Sequence, residues 1–406
     1  MENIFYTLFT ITYHLGAFSV FSIKFNLPTK IVFERGAITK VGYEVEGLGK
    51  KALIVITRGG SMIKFGYLGN VRLGLEARGI KYVVYNNVSS NPRAEEVEKG
   101  VEVAEKEKCD FVIGLGGGSA IDTAKAIAAT LGSGKPFIKY LRREKEISAA
   151  YPIVAIPTTH GTGSEVDKYA VVTDVERKAK LTVISRHIYP KVAILDPETT
   201  VTLPPQLTAA TAFDALSHAF EAYVNRSTNR LARVFAAESM KNIVENIEHA
   251  VKHGLNIAVR TKLLWASMLA GLAIDLVRTA LCHAMEHPLS AFYPHVHHGL
   301  GLTILMPAWI KFTLESAKED FAEIAEILGL KTEGLTIDQA AKAVYNFVVD
   351  LREKVGLNFK LRDLGVKAED IDAMVENAFT YMKALIENNP RIPTKDELKK
   401  IYLESY

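Results

Sequence analysis

Between Phe21 and about Asp196 the chain alternates short apolar runs with helical stretches; the runs are Ala52–Ile56, Tyr82–Tyr85, Phe111–Ile113, Ile153–Ile156 and Val192–Leu195. Strands this continuously apolar belong to a sheet buried on both faces, and parallel neighbours need crossover connections. The alternation therefore predicts a βαβ parallel sheet with helices on either side. After Pro204-Pro205 the rhythm becomes helical, broken by Gly, Pro and charge clusters, with no convincing strand. The expected division is an α/β domain over residues 1–203, with an extra segment at 1–20, and an all-helical domain over 204–406.

A chain of 406 residues can bury a deep cleft between two such domains. With 48% hydrophobic and 23% charged residues and a net charge of only +3, it offers no field to a polyelectrolyte, and nucleic acid is excluded as a partner. Two cysteines, Cys109 and Cys282, far apart and in no CxxC motif, fit a reducing cytoplasm better than a disulfide scaffold. Residues 1–20 are apolar but lack a basic n-region, with Glu2 where a cation belongs and His14 interrupting the run. A packed tail or strand is expected there rather than a signal peptide. The apolar stretch Ile257–Ile274 contains Arg260 and Lys262, each costing about 2.5–3.5 kcal/mol to insert into a bilayer. A buried core helix is expected, and no membrane partner.

Residues Asp110 to Lys125 read as a strand, a glycine turn and a helix starting near Ser119. Gly116, Gly117 and Gly118 let the backbone approach an anion, and the free N–H groups and dipole of the helix start face it. Ser119 is placed to cap that helix, and Asp122 fits its first turn. The triple glycine follows a strand well inside the domain, so this is not the common dinucleotide fingerprint. A second polar turn, Pro157 to Glu165, follows another apolar strand and offers the hydroxyls of Thr158, Thr159, Thr162 and Ser164. Two such turns at strand C-termini point at one crevice.

Asp214 and His218 are four apart within a helical pattern, and His283 and His287 repeat the spacing, so each pair projects from one helix face. His295, His297 and His298 follow. One carboxylate with three imidazoles and an open position suits Fe(II) or Zn(II), whereas Mg(II) prefers more oxygen. Either pair alone is commonly a surface or core pairing. Five of the eleven histidines between His283 and His298, on an apolar helical background, are hard to explain by packing. Pattern alone does not choose which four coordinate.

In this order, Gly116 to Lys125, Pro157 to Glu165, Asp214-x3-His218, His283-x3-His287-Pro-Leu and His298-Gly299 resemble the iron-containing (group III) alcohol dehydrogenase family, from about Phe21 onward. The resemblance implies an N-terminal dinucleotide-binding α/β domain and an all-α C-terminal metal-binding and substrate domain, a dehydroquinate synthase-like architecture with the active site in the cleft. It implies Asp214, His218, His283 and His298 as metal ligands, His298 being preferred because the family's ligand directly precedes glycine. The loop looks one residue longer than usual, which leaves His297 as the alternative. His287 matches a histidine that lines the substrate site and becomes the proton-relay candidate. Cofactor contacts are implied for Asn91, Gly117, Gly118, Ser119, Asp122, Thr158, Thr159, Thr162, Lys180 and Leu203. Fe2+, or Zn2+ on the same ligands, a small-molecule alcohol or aldehyde substrate and a homo-oligomer, dimer or tetramer, complete the expectation.

Two departures stand out. Where many NAD-using relatives carry an acid, this chain reads Thr57-Arg58-Gly59-Gly60-Ser61. An acid would repel a 2′-phosphate, whereas Thr57, Arg58 and Ser61 would welcome one, so NADP(H) is expected over NAD(H). His160 replaces a residue that is usually small, and no role is assigned to it. The expected reaction is reversible NADP(H)-dependent oxidation of alcohols to aldehydes or ketones, with the metal as Lewis acid and His287 passing the proton. The alternative is a zinc-dependent, glycerol-type polyol dehydrogenase using NAD. Cys282 is read as packing.

Overall fold

The computed structural model describes residues 23–406, so the reading of residues 1–20 lies outside the described residues. The strands are β1 (Lys30–Phe33), β2 (Lys51–Thr57), β3 (Lys81–Val88), β4 (Phe111–Gly116), β5 (Ile153–Pro157), β6 (Tyr169–Asp174), β7 (Ala179–Ile184) and β8 (Val192–Leu195). Six of them form one parallel sheet in the order β1-β8-β5-β4-β2-β3, and β6 and β7 pair as an antiparallel hairpin. All five apolar runs are strands of the main sheet. β1 and the hairpin were not expected. β1 is a four-residue edge strand opening on exposed Lys30, and Thr173, Asp174, Lys180 and Thr182 break the apolar rhythm of the hairpin.

Alternation sends the side chains of β2 to two faces: Leu53 and Val55 join the core shared with the helices of the second half, while Ala52, Ile54 and Ile56 join the other. The helix Gly118–Ser133 crosses β4 closely because a Cβ on Gly114 would lie 2.8 Å from the Cα of Ile121. From Pro205 onward no strand occurs among the described residues. Pro205 occupies the first turn of the helix Pro205–Val224, where its fixed φ suits and its missing N–H costs nothing. The helices Arg230–Lys252, Ile257–Val277, Leu281–Phe292 and His298–Leu314 follow. Ile257–Val277 is long and apolar enough to cross a bilayer, but 72% of its most apolar window is buried within the molecule, as expected of a core helix.

That helix buries Arg260 completely at the junction of the two halves. Its guanidinium donates to the carbonyl of Gly254 at 2.8 Å, to Thr208 Oγ1 at 2.8 Å, to His160 Nε2 at 3.0 Å and to the carbonyl of Leu203 at 3.2 Å. His160 thus has a structural place: it joins the turn after β5 to the junction and, through Nδ1, sits 3.3 Å from Thr211 Oγ1. Burial, reinforced by Arg260, holds its pKa down to about 3. An unfolded histidine protonates near 6.5, so below that pH the unfolded chain binds a proton that the folded one refuses. Stability contributed here is full above about 6.5 and falls by about 1.4 kcal/mol per pH unit on acidification. His160→Gln should flatten the pH slope of stability by about one proton between pH 6 and 4. Denaturation midpoints measured across that window check it, and an unchanged slope refutes it.

Candidate metal centre and cofactor cleft

Three helices converge on Asp214. Its Oδ1 lies 3.7 Å from His218 Nδ1, 3.9 Å from His283 Nε2 and 3.8 Å from His298 Nε2. Helix periodicity places Asp214 and His218 on one face of Pro205–Val224. His283 lies in the first turn of Leu281–Phe292, and His298 opens His298–Leu314. Gly299 makes that last approach feasible, since a Cβ there would lie 2.2 Å from the carbonyl oxygen of Ala210.

Two glutamates orient the imidazoles. Glu221 Oε2 is hydrogen bonded to His283 Nδ1, and its Oε1 accepts the backbone N–H groups of Ala280 at 2.9 Å and His283 at 3.2 Å. Glu286 Oε2 is hydrogen bonded to His298 Nδ1, while its Oε1 accepts from Ser290 Oγ. Each carboxylate claims one ring nitrogen and leaves Nε2 aimed at Asp214, an arrangement that fixes metal-binding histidines and raises their basicity. Asp214 Oδ1 and His283 Nε2 are buried without a hydrogen-bond partner. Leaving such atoms unpaired is costly unless a cation joins them, and the donor set fits a divalent ion.

Electrostatics agree. Burial pushes Asp214 up to about 7, against the pull of His283. Burial also drives His218, His287 and His298 well below the usual imidazole value, which keeps them in the neutral form that can donate a lone pair. Burial works to lower His283 as well, yet Glu221 raises it overall.

Of the four expected ligands, Asp214, His283 and His298 each present an atom within 4.8 Å of the others. His218 lies alongside, its ring stacked on His283 with centroids 4.5 Å apart and its Nδ1 3.3 Å from the carbonyl of Gly161. Glu286, His287 and His298 form a second such group, but both oxygens of Glu286 are already committed. His297, the alternative to His298, belongs to neither group; its buried Nδ1 is unpartnered, and burial lowers it to about 4.

The cleft beside this cluster is lined by Asn91, Gly118, Ser119, Asp122, Thr162 and Lys180 from the α/β half, facing His218, His283, His287 and His298. The two polar turns interlock behind it. A Cβ on Gly117 would lie 3.1 Å from Thr159 Cγ2 and one on Gly118 2.6 Å from Thr162 Cγ2, while Thr158 N–H donates to the carbonyl of Gly116 at 2.9 Å. Thr57, Ser61, Gly117, Thr158, Thr159 and Leu203 are not among the residues lining the cleft. Thr57 ends β2, Ser61 opens the short helix Ser61–Lys64, Thr158 is buried, and the Leu203 carbonyl is taken by Arg260.

One local expectation needs correcting, and several others gain detail. Ser119 does not cap its helix: Gly117 holds that position, and Ser119 Oγ donates to the carbonyl of Ser90. Asp122 turns inward, accepting from Ser164 Oγ and from Val171 N–H at 3.0 Å. Lys180 Nζ sits 3.3 Å from both Ser290 Oγ and His298 Nδ1, within the histidine cluster. Arg58 is half exposed and paired with Glu96. Cys282 is buried and its thiol pushed well above the ordinary value, consistent with packing. Glu221 and Glu286 were missed. Glu221 follows Asp214 by two helical turns, and Glu286 falls between His283 and His287, but neither spacing names a partner.

Comparison with known proteins agrees with this geometry. Residues 28–197 match the iron-containing alcohol dehydrogenase family and residues 208–406 the C-terminal region of the Fe-containing alcohol dehydrogenase family. The chain is 35% identical over 381 residues to a 1,3-propanediol dehydrogenase of Citrobacter freundii, covering 94% of this chain and 98% of that one. It is 34% identical over 377 residues to an NAD-dependent methanol dehydrogenase of Bacillus methanolicus, covering 93% and 98%. Its fold superposes on an archaeal halo-thermophilic Red Sea brine pool alcohol dehydrogenase with a TM-score of 0.91, at 33% identity and covering 95% and 99% of the two chains. An α/β sheet domain and a helical domain that meet at a buried Asp and His cluster, with such relatives along both halves, show that this chain belongs to the iron-containing alcohol dehydrogenase family and is an oxidoreductase.

Proposed function

We propose that the chain catalyses reversible NADP(H)-dependent oxidation of small alcohols to aldehydes or ketones at a divalent metal, iron in preference to zinc, held by Asp214, His218, His283 and His298. The observation that carries this reading is the unpartnered pair Asp214 Oδ1 and His283 Nε2, buried and 3.9 Å apart. A divalent ion bound there supplies Lewis acidity to the alcohol or carbonyl oxygen. Glu221 and Glu286 hold the imidazoles in register for it. His287 faces the same cleft, its ring centroid 6.3 Å from that of His283 and 5.9 Å from that of His298. Its unpartnered Nδ1 makes it the relay candidate for the proton that leaves the alcohol; burial keeps the ring neutral, the form that can accept a proton, but also weakens it as a base. The relatives reported above favour this reading over a zinc-dependent polyol dehydrogenase.

The NADP(H) preference rests on Thr57, Arg58 and Ser61 at the end of β2. Arg58 meets Glu96 through one terminal nitrogen and is 54% exposed, leaving other donors free for a phosphate. The Bacillus methanolicus relative is described as NAD-dependent, so the two cofactors must be compared directly. Anaerobically purified protein is expected to carry about one metal per chain and to turn over an alcohol and aldehyde panel faster with NADP(H). Arg58→Asp should shift the ratio of kcat/KM toward NAD(H) by about 10–100-fold, the worth of one charge-assisted contact. Turnover with NAD(H) alone would overturn the cofactor assignment.

A further inference from the structure

The helices Ile257–Val277 and Leu281–Phe292 are joined by Arg278, Thr279 and Ala280. Arg278 has φ 64° and ψ 177°, a region close to glycine's alone. The surroundings enforce it. Buried Asn225 donates Nδ2 to the carbonyl of Arg278 at 3.0 Å, and buried Asn388 donates Nδ2 to those of Val277 at 3.0 Å and Thr279 at 2.9 Å. Glu221 accepts Ala280 N–H on the other side. A glycine would adopt this backbone without strain, so the arginine stands here against local preference, as residues at functional sites do.

Its side chain lines the cleft together with Ile274, Thr279, His283 and His287, is exposed, and has no carboxylate within 4.0 Å among the described residues. Most other charges there are answered. Arg142 pairs with Asp174 and Glu176, Lys180 lies 3.7 Å from Glu286, and Asp167 pairs with Lys125. Tyr169, whose hydroxyl takes one hydrogen bond from Arg278, is held protonated by burial, so it offers no counter-charge and leaves the other guanidinium donors open. Arg143 is a second unpaired cation of the cleft, but it belongs to the α/β wall, whereas Arg278 stands five residues from His283 on the metal wall. A guanidinium with open donors, at the rim of a site whose floor is the histidine cluster, recognises a carboxylate in bidentate fashion.

We infer that Arg278 is a specificity-determining residue and that the preferred substrate is an aldehyde or alcohol bearing a carboxylate at the end remote from the reacting carbon. This rests on the dehydrogenase reading above. The test compares reduction of 4-oxobutanoate with that of butanal by the metal-loaded enzyme, with NADPH and with NADH. Wild type is expected to favour 4-oxobutanoate by about 10-fold or more in kcat/KM. Arg278→Gly, which removes cation and strain together, should lower that ratio by about 10–100-fold, with the loss in KM for 4-oxobutanoate and not in KM for the nicotinamide. Arg278→Lys should restore part of it. Equal kcat/KM for the two aldehydes in wild type, or a ratio unchanged in Arg278→Gly, overturns the inference alone. Reduction of neither aldehyde by protein that holds metal and binds cofactor sinks the dehydrogenase reading and this inference with it.

Discussion

Asp214→Asn is expected to leave a folded protein that has lost its metal and at least about three orders of magnitude in kcat/KM, since Lewis-acid stabilisation is worth several kcal/mol. The change is isosteric, so packing against Gly161, where a Cβ would lie only 2.9 Å from Asp214 Oδ2, is preserved. What disappears is the one negative charge that meets His218, His283 and His298 within 4 Å. Without metal the variant should be at least as stable as wild type stripped of metal, because it no longer buries an unpaired carboxylate. Metal analysis, steady-state rates and denaturation of both metal-free forms check these together. Full metal occupancy with wild-type turnover in Asp214→Asn would refute the assignment of this centre.

Glu221 gives the second large effect. In Glu221→Gln the amide oxygen can still accept the N–H groups of Ala280 and His283, but the anionic acceptor for His283 Nδ1 is gone. Metal affinity should fall by about 10–100-fold, the usual worth of a partner that orients a metal-binding histidine. Glu221→Ala removes the acceptor as well and orphans two buried N–H groups, at about 1–3 kcal/mol each. It should therefore lose stability even without metal, while Glu221→Gln should not. Metal titrations and urea melts separate the two outcomes. Equal metal affinity in wild type and Glu221→Gln would show that Glu221 merely anchors the helix.

The contrast between Asp214 and Glu221 shows what the sequence makes legible. Asp214 with His218, and His283 with His287, announce themselves because helical spacing is a local property. Glu221 serves His283 across 62 residues of chain, and no spacing rule connects them. The same limit hid the Arg58 and Glu96 pair, 38 residues apart, and the place of His160 beside Arg260, 100 residues away. The main sheet was readable because β2, β4, β5 and β8 are almost wholly buried and so continuously apolar. The β6–β7 hairpin was not, since Asp174 and Lys180 face polar partners inside the molecule, Thr173 is a buried polar residue beside them, and the three carry no strand-like alternation. Lys180 was legible as a buried cation's position only after the fold brought it to Glu286 and His298.

The way the centre is tied together also bears on the order of its assembly. Glu286 and His298 are 12 residues apart and can meet early in folding, whereas Glu221 must close 62 residues to reach His283. A loop of that length costs on the order of 4 kcal/mol to close and slows the contacts that depend on it. A nascent chain therefore presents only a partial set of imidazoles, and the complete donor set exists only after the helices have docked. Loading of the proposed ion is therefore expected to follow folding, and chain made in metal-starved cells should remain competent to take up its ion later without refolding.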